Sequence, residues 1–334
     1  MHLIFAPHHI ENNIGILVGL SAVSSALCTN GMEIIRTMLR SLVPKKLKDI
    51  SKDTVLVTKL SSKAYIKIYE LVHDQITGTG HGIGKELALL YAGYGSTVIC
   101  VDINEKNNVK TVQEVKHLNR GVVYSFGCDV SKRDQVVELA TRVHKNVGPV
   151  SVLINNAGIM PTHPLTQQTP EEILRVFDIN VFSQFWTIQA FLDQMKKQRK
   201  GHIIAMSSVA GLSGLPNLVP YCATKFAVRG LMEALYEEIR KGPYKNQINL
   251  TTIYPYMTNT GLCKNPKIRF PSILGLLDPK QVAMRIVEAH RSNRLELAIP
   301  SFFLHFHNWT RLLPNSWRFA INDSIGSGVE SDLK

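Results

Sequence analysis

The sequence predicts an α/β protein: one doubly wound parallel sheet with helices on both faces, preceded by an N-terminal hydrophobic anchor helix. Three observations predict it. From about residue 97 onward, short continuous apolar runs alternate with helical segments, the pattern of buried parallel strands covered on both faces. A glycine-rich turn ends at Gly84, and a helix reads on from Lys85. Residues 13–32 contain no Asp, Glu, Lys or Arg. A domain of this kind needs about 230–270 residues. The 334 residues therefore hold one domain plus a sizeable extra segment.

The first fifty residues read as that segment. Twenty residues of helix span about 30 Å, the thickness of a bilayer core. The apolar centre is IGILVGLSAVSSALC, and its Ser content makes the span marginal. A cleaved signal peptide is the rival reading, but no Lys or Arg precedes the stretch to form a basic leader. The basic residues follow instead: Arg36, Arg40, Lys45, Lys46 and Lys48. They place the rest of the chain on the cytosolic side. Residues 32–50 then form a basic amphipathic helix stopped near Pro44. With a cytosolic body, the sequons at Asn249 and Asn308 are chance matches. The five cysteines are odd in number, and their spacing fits neither a disulfide framework nor a zinc site. They read as reduced thiols.

The net charge of +12 raises the question of nucleic acid. Residues 1–77 carry +3, residues 78–260 carry +5 and residues 261–334 carry +4. The excess is diffuse, whereas a nucleic-acid stripe is concentrated. No nucleic-acid partner is expected. The dense run Lys196, Lys197, Arg199, Lys200 suits the negative end of a helix.

Residues 51–313 read as the folded domain and 314–334 as a C-terminal tail. Val55-Leu-Val-Thr58 is a candidate first strand. STVICVDIN is a strand, followed by a polar helix to about His117. VVYSFGCDV is a strand, and RDQVVELATRVHKNV a helix with apolar positions at i, i+3, i+4 and i+7. VSVLINNAG is a buried strand ending in a turn. Residues 169–195 form one long helical region, capped by Thr169, with Pro170, Glu171 and Glu172 in its first turn. GHIIAMSS is a strand, YCATKFAVRGLMEALYEEIR a helix and INLTTIYP a strand. Ligands of such sheets bind beyond the carboxyl ends of the strands.

The chemistry-bearing residues lie at those ends. Gly78, Gly82 and Gly84 allow a tight turn and close approach of a pyrophosphate to a helix N-terminus. Asp102 ends the next strand. A carboxylate there accepts ribose hydroxyls and repels a 2′-phosphate, which favours NAD over NADP. Asn155-Asn-Ala-Gly158 offers small residues for close backbone approach. Tyr221 and Lys225 stand at i and i+4 on one helix face. An ammonium beside a phenol favours phenolate and lowers its pKa from about 10. Ser208 ends a strand thirteen residues earlier, and Asn180 lies inside the long helix. Read singly, a Tyr, Ser or Asn is ordinarily a core or cap residue.

In this order and spacing the residues resemble the short-chain dehydrogenase/reductase family over about residues 78–310. TGTGHGIG matches the family's TGxxxGxG loop, which implies cofactor contacts at Gly78, His81, Gly82, Ile83 and Gly84. NNAG matches its fourth-strand motif, which implies contacts at Asn155, Ala157 and Gly158. Asn180, Ser208, Tyr221 and Lys225 fall on the catalytic tetrad, with Tyr221 and Lys225 also touching cofactor. Asp129 falls on the adenine-contacting Asp. Residues 255–260 resemble the PGxxxT segment, which implies contacts at Pro255 and Thr260; Tyr256 replaces the usual Gly. More narrowly, GHGIG, YCATKFAV, NTGLCKNPKIRFP and IPSFFLHFHNWTRLLP look like the membrane-anchored group of 17-beta-hydroxysteroid dehydrogenases types 11 and 13 and the epidermal and type 10 retinol dehydrogenases. That implies a Rossmann-type domain, NAD, a lipophilic alcohol or carbonyl, a homodimer, and an endoplasmic reticulum or lipid-droplet surface.

One feature departs from the pattern. Residues 59–77 stand between the candidate first strand and Gly78; without them the chain reads DTVLVTGTGHGIG. Either this segment bulges out as a loop, or YELVHDQI substitutes as the strand. The insert is read as a splicing or gene-model variation; if it is real, it weakens cofactor binding by misplacing the phosphate loop. It is also what supports the alternative function, a catalytically impaired scaffold on a membrane or droplet surface. The Phe-, Leu-, Ile- and Pro-rich residues 261–313 are expected to cover substrate. His305 and His307 lack the partners a metal site needs, so no metal is expected.

Overall fold

Residues 47–58, 82–103, 105–117, 121–272, 274–326 and 328–332 are described in a computed structural model. The anchor stretch, the basic segment to residue 46, the insert, Gly78 and His81 lie outside the described residues. Among the described residues no helix is long and apolar enough to cross a membrane.

The strands are β1 (Thr54–Thr58), β2 (Thr97–Asp102), β3 (Val122–Gly127), β4 (Val152–Asn155), β5 (Gly201–Met206), β6 (Ile248–Pro255), β7 (Pro266–Lys267), β8 (Glu296–Ile299) and β9 (Gly328–Val329). Seven of them form one parallel sheet in the order β3-β2-β1-β4-β5-β6-β8. β7 and β9 pair antiparallel in a separate ribbon. The helices are α1 (Ile83–Gly93), α2 (Glu105–His117), α3 (Arg133–Asn146), α4 (Pro170–Phe177), α5 (Ser183–Lys197), α6 (Val219–Lys241), α7 (Pro279–Arg291), α8 (Phe302–Thr310) and α9 (Asn315–Ile325).

Alternation along each strand sends apolar side chains to both faces. Leu56, Ile99, Leu153 and Ile203 face one core, closed by Leu139 of α3, Phe191 of α5 and Val228 of α6. Val55, Val57, Val98 and Ile204 face the other, closed by Leu87 and Tyr91 of α1, Val115 of α2 and Ile286 of α7. The sheet is therefore wound on both sides, as its apolar runs require.

Two expectations are corrected or sharpened. The centre of the sheet is Thr54–Thr58, with Val55 registered on Val98 and on Val152. YELVHDQI does not substitute for it: the apolar TVLVT fits a strand buried on both faces, where Glu70, His73 and Asp74 would not. The long helical region is two helices. α4 opens with a capping box between Thr169 and Glu172. A π-helical turn, Asp178–Phe182, then joins α4 to α5. Within the C-terminal segment lie α9 and β9, and β9 pairs with β7.

Candidate active site

The site gathers where β4, β5 and β6 end. β5 runs into Ser207 and Ser208, and Ser208 opens a short 3-10 turn by accepting a bond from the Ala210 N–H at 3.2 Å. Helix α6 then brings back Tyr221 and Lys225. What lets it approach so closely is Gly211. A Cβ there would stand 2.4 Å from Ser207 Oγ and 2.7 Å from the Lys225 carbonyl oxygen. Ser207 Oγ donates to that carbonyl at 2.8 Å. Gly211 and Ser207 thus seat the backbone of Lys225.

Lys225 is buried, and its Nζ donates to the Met206 carbonyl at 2.9 Å. Burial pulls its ammonium down to about 8. The Nζ lies 5.5 Å from the centroid of the Tyr221 ring. The expected depression of the phenol is not found. Burial pushes Tyr221 above its ordinary value, and a bond from Ser208 opposes this only in part. The ammonium is bonded to a main-chain carbonyl and lies against the ring, so desolvation of the phenol dominates.

Asn180 sits in the π-helical turn and is fully buried. Its Oδ1 accepts from the Ile159 N–H at 2.9 Å. Its Nδ2 donates to the Ile159 carbonyl and to Thr224 Oγ1, both at 3.0 Å. The amide therefore clamps the turn that follows Gly158 to helix α6. A widened turn in mid-helix is a frequent device for aiming a side chain. Gly158 lies directly against the site: a Cβ there would be 3.4 Å from Asn180 Oδ1 and 3.6 Å from Lys225 Nζ.

The other expected residues divide by strand geometry. Asn156 and Gly158 line the cleft. Asn155 is buried, and its Oδ1 accepts from Thr187 at 2.8 Å. Ala157 packs in the core. Neither Asn155 nor Ala157 lines the cleft, and Asn156, which motif reading passed over, does. Period-2 alternation past β4 was the signal for it. Gly82 opens α1 with φ of 83°, and Ile83 lines the cleft while Gly84 is buried in α1. Asp102 is wholly buried at the end of β2. Asp129 accepts at one oxygen from the Ser131 N–H and hydroxyl, at 3.0 and 2.6 Å. The Pro255 carbonyl accepts from Ser208 at 3.5 Å, and Thr260 lines the cleft. Tyr256 turns to stack on Phe303, centroids 5.2 Å apart.

Ile83, Asn156, Gly158, Ser208, Tyr221, Lys225, Pro255, Tyr256 and Thr260 border a cleft of about 930 Å³, whereas Asn180, Asp102 and Asp129 do not line it. Its far wall is α8, whose Phe303, Phe306, His307 and Thr310 follow one helical stripe, with Asn322 and Ile325 of α9 and Val329 of β9. Burial pulls His307 down to about 4, and its Nε2 has no hydrogen-bond partner. The four described cysteines are unpaired thiols. A nicotinamide dinucleotide fits what is present. Gly82 holds a left-handed conformation at a helix start, Asp102 waits at the next strand end, and Gly158 leaves the surface before Lys225 without a side chain.

A profile of the short chain dehydrogenase family matches residues 75–267. It thus begins beyond β1. The short-chain dehydrogenase/reductase family 16C member 6 of Bos taurus is 34% identical over 268 residues, covering 80% of this chain and 78% of that protein. Epidermal retinol dehydrogenase 2 of Homo sapiens is 33% identical over 294 residues, covering 88% of each. Among solved structures, a short-chain dehydrogenase/reductase from Burkholderia phymatum in complex with NAD superposes with a TM-score of 0.64 at 23% identity. It covers 78% of this chain and 94% of that one.

Proposed function

The chain belongs to the short-chain dehydrogenase/reductase family and is an oxidoreductase of a nicotinamide cofactor, and from that premise we propose that it interconverts a lipophilic alcohol and its carbonyl. The substrate class is a retinoid, steroid or fatty alcohol, primary or secondary. The observation that carries the reading is one juxtaposition. Ser208, Tyr221 and Lys225 meet at the neck of a cleft walled by Phe303, Phe306, Leu212, Leu215 and Met257. The resemblance to epidermal retinol dehydrogenase 2 supports the same class.

A bound nicotinamide cofactor supplies the hydride acceptor or donor. Tyr221 takes the proton of the substrate hydroxyl in oxidation and returns one to the carbonyl oxygen in reduction. Ser208 donates a hydrogen bond that fixes the reacting oxygen. Lys225 supplies a cation beside the phenol and a donor for the cofactor ribose. Asn180 holds the Gly158–Ile159 turn on α6, which keeps Lys225 and the cofactor surface in register. Asp102 selects NAD over NADP, because a buried carboxylate repels a 2′-phosphate. Asp129 and Thr260 take the adenine and carboxamide ends. The chain works as a homodimer on endoplasmic reticulum or lipid droplets, anchored by residues 13–32, with its domain in the cytosol.

The decisive experiment is a panel of retinol, steroid and long-chain alcohol oxidation, with NAD and with NADP. Turnover of at least one lipophilic alcohol with NAD is expected. Absence of turnover across the panel, with cofactor still bound, would refute the reading. The insertion between β1 and α1 favours a second reading, a scaffold impaired in catalysis. Deleting residues 59–77 separates the two: turnover that appears only on deletion identifies the scaffold.

A further inference from the structure

We propose that a cavity at the amino ends of β1, β5 and β6, the opposite end of the sheet from the cleft, binds a phosphate group that keeps one proton. The cavity holds about 260 Å³, and Lys48, Asp53, Arg199, Lys200, Gln247 and His290 line it. Its three cations face one carboxylate, which is already engaged. Asp53 Oδ1 accepts from Lys200 Nζ at 2.7 Å and from the Ser151 hydroxyl at 3.2 Å. The half-buried Lys48 ammonium and exposed Arg199 have no carboxylate within ion-pair distance among the described residues. Burial pulls Lys48 down to about 8, against the attraction of Asp53. The ordinary reason for cations here would be the negative ends of α5 and α7. Main-chain N–H groups already satisfy those ends. Arg199 and Lys200 bond the Lys196 and Met195 carbonyls, and Asn293 and Arg294 those of His290 and Ala289, at 2.9–3.2 Å.

The hydrogen-bond network fixes where the spare protons lie. Thr251 gives its hydroxyl proton to the Arg294 carbonyl at 2.6 Å, so it accepts from His202 Nε2 at 2.7 Å. His202 Nδ1 then accepts from Lys48 Nζ at 3.3 Å, which leaves two ammonium protons unused. The Tyr91 hydroxyl has His290 Nδ1, 3.0 Å away, as its acceptor among the described residues, so His290 carries its proton on Nε2. That buried N–H has no hydrogen-bond acceptor, since Asp53 Oδ2 stands 3.8 Å away. Gln247 Oε1 is the converse, a buried acceptor without a donor. Unmatched buried groups of this kind call for a ligand that completes them. Donors and positive charge predominate, so the ligand is an anion. Asp53 Oδ2 and Gln247 Oε1 repel an anion that has only acceptors. Phosphate near neutral pH keeps an O–H, whereas sulfate does not. Phosphate gives that proton to Asp53 Oδ2 while its other oxygens accept from Lys48, Lys200 and Arg199. Bound there, it ties the chain at Lys48 to the turn between α5 and β5 and stabilises the fold.

The test uses the full chain saturated with NAD, so that phosphate cannot occupy the cofactor's own place. Calorimetric titration with inorganic phosphate at pH 6.5 and constant ionic strength is expected to show one phosphate per chain. Sulfate should bind about tenfold more weakly or worse. Lys48→Met should weaken phosphate about tenfold and leave NAD affinity unchanged, which also shows that the variant is folded. Arg199→Ala, at an exposed position, should weaken phosphate several-fold in the same direction. Asp53→Asn should bring phosphate and sulfate to similar affinities, because the amide no longer repels an aprotic anion. A soluble short-chain phosphatidate is titrated alongside. Binding tighter than that of inorganic phosphate, and lost in Lys48→Met, assigns the site to a lipid headgroup; equal or weaker binding assigns it to free phosphate. Absence of phosphate binding in the NAD-saturated chain would overturn the proposal. So would phosphate binding that Lys48→Met and Arg199→Ala together leave unmoved, or sulfate bound as tightly as phosphate by the parent.

Discussion

The two ends of the sheet bury ionisable groups in opposite ways. At the carboxyl ends, Lys225 has a neutral carbonyl as its bonded partner, and burial alone pulls it down to about 8. At the amino ends, buried Asp53 has Lys200 at 2.7 Å and His290 Nε2 at 3.8 Å. Tyr91 hydroxyl lies 3.0 Å from His290 Nδ1, and Lys48 Nζ lies 3.3 Å from His202 Nδ1. The two imidazoles meet edge to face, 4.6 Å between centroids. Burial, and then neighbouring cations, hold both uncharged, His290 at about 2. One end surrounds its charge with charge and keeps its rings neutral. The other holds a cation against dipoles beside an open cleft. A perturbed group of the second kind marks chemistry, whereas the first kind serves the fold.

The largest expected effect breaks the cleft end directly. Tyr221→Phe should lower turnover by about 10³-fold or more while cofactor affinity, read by fluorescence titration, stays within a few-fold. Turnover within tenfold of the parent would remove Tyr221 from its role. Because burial raises the phenol, oxidation, which needs the phenolate, should speed up with pH across the neutral range, while reduction, which needs the protonated phenol, should stay flat there; initial-rate profiles check this.

Gly211→Ala comes next. Its Cβ would meet backbone at 2.7 Å, so α6 must shift away from β5. A loss of about 2–4 kcal/mol of stability by urea denaturation, with turnover falling further than cofactor binding, is expected. Lys225→Met should abolish turnover and yet stabilise the fold by about 1–3 kcal/mol at pH 7. The buried lysine titrates near 8 in the folded state and near 10.5 unfolded. Its penalty is complete below pH 8 and fades as pH rises toward 10.5. Denaturation midpoints at pH 7 and pH 10 read the difference, and an equal gain at both would contradict it.

The smallest effect belongs to the amino end. His290 keeps its neutral form far below the 6.5 of an ordinary imidazole. The unfolded chain therefore takes up protons first, and stability declines as pH falls below 6.5, by at most about 1.4 kcal/mol per pH unit for each such histidine. His290→Gln should flatten that decline between pH 6.5 and 4.5 without altering turnover at pH 7. An unchanged slope would assign the acid sensitivity elsewhere.

Much of the site was legible because its pieces are local. The i, i+4 spacing of Tyr221 and Lys225, Ser208 at a strand end, and Gly82 and Gly84 at a helix start need only secondary structure to acquire meaning. The apolar runs TVLVT, TVICV and INLTTIYP likewise dictated buried strands, and Thr169 with Pro170 and Glu172 dictated where α4 begins. Contacts distant in sequence were not legible. Asn180 aims at Ile159 only through a π-helical turn, and no periodicity marks such a turn. Gly211 looks like any glycine until α6 is laid against it. Asn156, and not Asn155, faces the cleft because one residue of strand phase decides the side. The direction of the Tyr221 shift followed desolvation, which depends on everything packed around the phenol. The exposed aromatics of α8 read in sequence as substrate cover, and those of α9 as part of a C-terminal tail. The sequence by itself determined element types, strand burial and which residues are proposed to react, since these rest on local spacing and hydrophobic period. Tertiary structure alone decided which faces pair, what each buried charge meets and which apolar side chains are left outside, since these depend on packing between segments far apart in the chain.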